Sequence, residues 1–106
     1  MNGEVGFVER EGPDIGRLVI CAGRLAERYA LPAAPDVTIR STIEEVLFGK
    51  RKSFESFKAG LLTREELRSL VLAHLMTQIA SSAGGDEPNY KKDDELEREV
   101  DAALFG

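Results

Sequence analysis

The stretch from 36 to 49, DVTIRSTIEEVLFG, decides the predicted fold because its apolar rhythm changes at Ser41. Before Ser41, Val37 and Ile39 alternate with polar residues, as on one face of a β-strand. From Ser41 the sequence STIE matches a capping box, in which serine and glutamate satisfy the first amides of a helix. Apolar residues then follow at helical spacing, at Ile43, Val46 and Leu47. The change predicts a β layer before Ser41 and an α layer after it.

Three segments upstream carry strand signals. Residues 4–11 (EVGFVERE) alternate apolar and polar side chains, and residues 16–22 (GRLVICA) form a β-branched apolar run typical of a central strand. Residues 24–30 (RLAERYA) fit either a third strand or a helix. The sequence GPD at 12–14 indicates a turn between the first two segments.

Helical signals dominate after Ser41. A short helix is expected from Ser53, and a second capping box, TREE at 63–66, opens a long helix that runs to about Ala83. Apolar residues between Leu67 and Ile79 cover an arc about 240° wide, broader than a surface helix needs. We therefore expect the sheet to cover one side of this helix. The other side is left to a ligand, the C-terminal segment or a second subunit.

The chain ends in an acidic amphipathic segment. Residues 85–106 are predicted to form a polar linker and a helix from Asp94 to Phe105, packed on the rest of the chain or on a partner. Its apolar stripe comprises Leu96, Val100, Ala103 and Leu104. Residues 1–84 are then a single α+β domain, in keeping with a length of 106 residues.

Charge and composition exclude several function classes. The net charge is −5, and residues 86–106 carry eight acidic side chains against three basic ones. That balance argues against nucleic acid as a partner, and the basic run 50–52 is interpreted as a solvated turn. No apolar stretch approaches the ~18 residues of a membrane span, so stable membrane insertion is not expected. A single cysteine, Cys21, points to a reducing, cytoplasmic setting.

Catalytic and metal-binding patterns are weak. The one histidine, His74, lies within the apolar helix, and Cys21 reads as a small hydrophobic residue in a strand. The acidic pairs are adjacent in sequence and diverge around a helix, so they do not converge on a metal or substrate. We therefore expect no enzymatic activity, no metal site and no cofactor.

The middle of the chain resembles the sterol carrier protein-2 (SCP-2-like) family over about residues 5–62. The resemblance rests on DVTIRST at 36–42, LFGK at 47–50, and the two phenylalanines that precede Gly60 and Leu61. It implies an α+β fold in which a curved antiparallel sheet and helices enclose an apolar tunnel for a lipid or sterol. The chain departs from the family after Gly60, where a long helix replaces a strand.

The resemblance also implies a ligand site between the sheet and the helices. Its expected apolar lining consists of Phe48, Phe54, Phe57, Leu61, Leu72, Leu75 and Met76. Each buried CH₂ group contributes roughly 0.8 kcal/mol, so a long acyl chain needs no ionic anchor. The same residues also fit a filled hydrophobic core.

Two functions follow as expectations. The first is a non-catalytic carrier of a lipid, sterol or other apolar small molecule. The alternative is a protein-interaction or dimerisation module without a ligand, accessory to a larger enzyme, which forms a homodimer or binds a partner through the Leu67–Ile79 helix.

Overall fold

The computed structural model describes residues 12–85 and 88–106, and within them it contains five helices and no strand. The predicted α+β fold, with a small antiparallel sheet, is therefore wrong. The predicted strand at 4–11 lies outside the described residues. The helices are α1 (Ile15–Arg28), α2 (Asp36–Phe48), α3 (Ser53–Lys58), α4 (Arg64–Ala83) and α5 (Asp94–Phe105).

Helix α1 occupies the region that was predicted to hold two strands. Its N-terminus is capped by Asp14, whose side chain accepts a hydrogen bond from the amide of Arg17 at 3.2 Å. Its buried residues recur at helical spacing: Leu18, Cys21, Ala22, Leu25 and Ala26. The strand predicted at 16–22 is wrong because this stripe continues through Gly23. For 24–30, the helical alternative is correct as far as Arg28.

Helix α2 begins five residues before the predicted change of rhythm. Val37 is 71% exposed and Ile39 is 2% exposed, so the two side chains lie on different sides of a helix and do not share one face of a strand. Ser41 is exposed within α2 and caps nothing. One buried stripe crosses the whole element, through Ile39, Ile43, Val46 and Leu47. The predicted β layer is therefore replaced by a helix.

The later helical predictions are confirmed. At the start of α4, Thr63 Oγ1 accepts from the amide of Glu66 at 3.0 Å, and Glu66 Oε1 accepts from the amide of Thr63 at 2.8 Å. These two bonds are the predicted capping box. Gly84 ends α4 with a φ of 75°, a left-handed conformation that glycine adopts without strain. Helix α5 spans the predicted residues, and its apolar stripe is buried.

Helix α4 is the centre of the fold and packs against each of the other four helices. Its wide apolar arc is covered by its own chain, with α1 and α2 in place of the predicted sheet. Helix α5 packs against both α1 and α4. The C-terminal segment therefore covers part of the surface that the sequence left open to a ligand or a second subunit.

We expect the substitution Gly23→Ala to raise the free energy of unfolding by about 0.5–1 kcal/mol, because alanine restricts the unfolded chain and suits a helix interior. Gly23 is exposed in α1, and an added Cβ would meet nothing within 4 Å. Urea denaturation followed by circular dichroism measures the change. As a control, Gly60→Ala should destabilise the chain, because Gly60 has a φ of 83°. A Gly23→Ala variant less stable than the parent would contradict a helix at this position.

Candidate functional site

The seven residues predicted to line a ligand site do not come together. Leu72, Leu75 and Met76 are buried in the main core, whereas Leu61 is 76% exposed in the loop after α3. The tunnel on which the carrier hypothesis depended has no counterpart in the described part of the chain, because the sheet that would form its wall is absent. The expectation of a lipid tunnel walled by a sheet is thereby corrected, and lipid carriage itself stays a prediction. The three phenylalanines among the predicted residues lie close to one another outside the main core.

These phenylalanines, joined by one from α5, form a continuous row of rings. The ring centroids of Phe48 and Phe54 are 6.1 Å apart, those of Phe54 and Phe57 are 5.9 Å apart, and those of Phe57 and Phe105 are 4.9 Å apart. These separations lie in the range of favourable edge-on and tilted aromatic pairs. Phe48 is 51% exposed and the other three are half-buried. We call these four residues the aromatic row.

A groove opens along the aromatic row where α3, the start of α4 and the end of α5 meet. Its volume is about 280 Å³, and it is lined by Gly12, Phe54, Phe57, Lys58, Arg64, Leu104 and Phe105. We call it the aromatic groove. Small-molecule sites usually occupy roughly 300–1,000 Å³ and bury most of their ligand. The aromatic groove is smaller and open to solvent, which suits one or two side chains of a binding partner.

Two cations lie over the rings of this groove. Lys58 Nζ is 5.8 Å from the ring centroid of Phe54, and Arg64 Cζ is 4.9 Å from that of Phe105. Both distances permit cation–π attraction. Neither cation forms an ion pair with a carboxylate in residues 12–85 or 88–106. The groove therefore combines apolar rings with two cations.

The segment of sequence that carries Lys58 and Arg64 is basic. Residues 50–64 carry five basic side chains and one acidic one, Glu55, in a chain whose net charge is −5. The acids of α5 pair elsewhere: Glu99 with Arg24 at 2.7 Å and Asp101 with Arg68 at 2.9 Å. Of the five basic side chains in 50–64, Lys58 and Arg64 line the groove.

Sequence reasoning missed five of the seven described residues that line the groove, among them both cations and the phenylalanine of α5. Lys58, Arg64 and Phe105 reach it from three helices, and no local pattern pairs Phe105 with Phe57. The run of basic residues at 50–52 was noticed and interpreted as a solvated turn. The local signal for a basic surface was the excess of basic over acidic residues in the window 50–64.

Two other side chains with reactive groups, Cys21 and His74, lie outside the aromatic groove. Burial raises the pKa of the Cys21 thiol, and the charge of Glu99 adds to this rise. His74 Nδ1 lies 2.9 Å from the carbonyl oxygen of Leu70, one turn earlier in α4. Among the described residues, no three histidine, cysteine, aspartate or glutamate side chains are grouped as metal ligands would be. The aromatic groove is the strongest candidate for a functional surface.

None of the helices in residues 12–85 and 88–106 has the length and apolar character that crossing a bilayer requires. A scan of protein-family models, a search of curated proteins and a search of solved structures each find no match for this chain.

Proposed function

We propose that this chain is a non-catalytic protein-interaction module and that it docks a partner through the aromatic groove and the adjacent Phe48. One observation carries the proposal: four phenylalanine rings form a partly exposed row beside two cations that lack carboxylate partners among the described residues. Aromatic residues and arginine are enriched at protein interfaces and dominate their binding energy.

Because the apolar face of α4 is buried, the aromatic row is a better candidate for the docking surface than the Leu67–Ile79 helix that the sequence suggested. The apolar face between Leu67 and Ile79 is covered by the chain's own helices, so a partner or second copy would have to displace them to reach it. The aromatic row needs no such rearrangement, because Phe48 already faces solvent. The buried Cys21, the one cysteine of the chain, supports a reducing compartment such as the cytoplasm.

Site-specific photo-crosslinking tests the proposal. The full chain is expressed with a benzophenone amino acid in place of Phe48, and a control carries it in place of Val37, which is exposed at the other end of α2. We expect position 48 to form a discrete crosslinked adduct with the partner, and we expect excess unlabelled chain to compete this adduct away. Position 37 should form no adduct. Mass spectrometry identifies the adduct. Equal, diffuse labelling from both positions, or no labelling from position 48, would count against the proposed surface.

A further inference from the structure

We infer that the aromatic groove binds an acidic peptide segment of a partner protein. In this arrangement a large apolar side chain of the peptide packs against Phe57 and Phe105, and its carboxylates lie beside Lys58 and Arg64. The inference rests on the proposed function and specifies the chemistry of the partner.

The geometry of the groove supports this occupant. Phe57 and Phe105 are 4.9 Å apart and line the groove, which at about 280 Å³ admits one or two large side chains. Arg64 Cζ lies 4.9 Å from the ring centroid of Phe105, and a guanidinium carries five N–H donors in a planar fork. A carboxylate accepts two parallel hydrogen bonds from such a guanidinium edge. An apolar side chain flanked by carboxylates therefore complements both parts of the groove.

Charge complementarity selects a peptide over a nucleic acid. Among the described residues, the charged side chains that line the groove are Lys58 and Arg64, and no acidic side chain lines it. The whole chain nevertheless has a net charge of −5, and acidic residues of α5 lie on the same small molecule. A polyphosphate backbone needs several adjacent phosphate contacts and would meet this negative charge. A peptide with a few carboxylates needs only the two groove cations.

Three blocked synthetic peptides test the inference: GEEFLEEG, GQQFLQQG and GKKFLKKG. Each is titrated into the full ¹⁵N-labelled chain, and amide shifts are followed by NMR. We expect the glutamate peptide to shift the amides of Phe57, Arg64 and Phe105. Its affinity should exceed that of the glutamine peptide by about three- to thirtyfold at low salt, the range for two exposed ion pairs. The lysine peptide should not bind, and added salt should reduce the preference.

A charge-reversed variant sharpens the test. In the double variant Lys58→Glu, Arg64→Glu, the preference should change from the glutamate peptide to the lysine peptide. Both side chains are exposed, and Arg64 is the first residue of α4, where a glutamate suits the helix dipole, so the variant is expected to fold. The matched control is Lys91→Glu, which should keep the original preference. Its amide contacts Tyr29, at the opposite end of α1 from Gly12 in the groove.

The outcomes separate the inference from the proposed function. Equal binding of the glutamate and glutamine peptides at the groove would overturn the acidic-partner inference and leave a docking surface. Absence of groove shifts with every peptide would overturn the inference, and the crosslink from position 48 then decides the proposed function independently. If a thymidylate octamer displaces the peptide and changes the amide shifts of the groove residues, the groove is assigned to nucleic acid. If concentrating the chain alone changes those amide shifts, the groove is assigned to a second copy of the chain.

Discussion

Replacing Leu75 by alanine is expected to lower the free energy of unfolding by about 2–5 kcal/mol, the usual cost of truncating a buried leucine. Leu75 is 0% exposed at the centre of the core, whereas Leu61 is 76% exposed. Leu61→Ala should therefore change stability by less than about 0.5 kcal/mol. Denaturation in urea, followed by circular dichroism on the full chain, measures both variants.

The comparison distinguishes a packed core from a ligand cavity, because both leucines were predicted to line the same lipid site. A leucine that lines an empty cavity already lacks part of its contacts, so its truncation costs less than truncation in a filled core. Small domains have only about 5–15 kcal/mol of stability in total, and Leu75→Ala removes a large share of it. Leu75→Met keeps the volume and should cost less than about 1.5 kcal/mol. A Leu75→Ala variant within 0.5 kcal/mol of the parent would contradict the packed core.

The helices that sequence analysis predicted correctly are those with local start and stop signals. Helix α4 begins at the Thr63 capping box and ends at Gly84, and α5 begins after Asp93, whose side chain accepts from the amide of Leu96 at 3.1 Å. A cap involves residues within four positions of each other, so it is visible in sequence without knowledge of the tertiary fold. Each of these helices also carries an apolar stripe over more than two turns.

The strand predictions that fall on described residues failed because their windows were shorter than two helical turns. Over residues 16–22 alone, the β-branched Val19 and Ile20 dominate, and β propensity is a weak, context-dependent preference. The helical stripe of α1 emerges only when the window continues past Gly23. The SCP-2-like interpretation shared this weakness, since its sheet relied on Val37 and Ile39 facing one way. The two side chains have opposite burial.

The candidate site was only partly predictable because it depends on tertiary packing. Phe48, Phe54 and Phe57 are near one another in sequence, and a short α3 keeps them together. Phe105 joins them only because α5 packs back onto α4 and α1. Sequence analysis therefore identified the aromatic residues but assigned them to an enclosed tunnel, whereas they line an open groove with basic edges.

Replacing Glu97 by glutamine is expected to lower the free energy of unfolding by about 1–3 kcal/mol at neutral pH, the range for disrupting a largely buried, charged hydrogen-bond acceptor. The side chain of Glu97 is 12% exposed. It accepts hydrogen bonds from the Tyr90 hydroxyl at 2.9 Å and from Lys92 Nζ at 3.0 Å, and it lies 3.7 Å from Arg68. The matched control is Glu99→Gln on the same helix. Glu99 is 35% exposed with one ion pair, so its loss should cost no more than about 1 kcal/mol.

The effect of Glu97→Gln should depend on pH. Burial raises the pKa of Glu97, but the hydrogen bonds from Lys92 and Tyr90 and the charges of Lys92 and Arg68 outweigh it, so the net pKa is lowered from 4.5. A native pKa below the unfolded value means that the unfolded chain binds the proton more readily. The stabilisation is then complete above about pH 4.5 and is lost as the pH falls through the native pKa. The stability difference between the parent and Glu97→Gln should therefore shrink in acid.

The titration of Tyr90 at alkaline pH gives an independent measurement of its hydrogen bond to Glu97. Burial, the hydrogen bond to Glu97 and the charge of Glu97 raise the pKa of Tyr90 from 10.0 to about 12. Because the native pKa is the higher one, this contribution is present below pH 10 and is lost as the pH rises towards 12. In Glu97→Gln, the pKa of Tyr90 measured by NMR titration should fall only part of the way towards 10, because burial, the largest cause of the rise, remains. Glu99→Gln should leave the pKa of Tyr90 unchanged. A Tyr90 pKa that is the same in Glu97→Gln as in the parent would contradict the contribution of the Glu97 hydrogen bond.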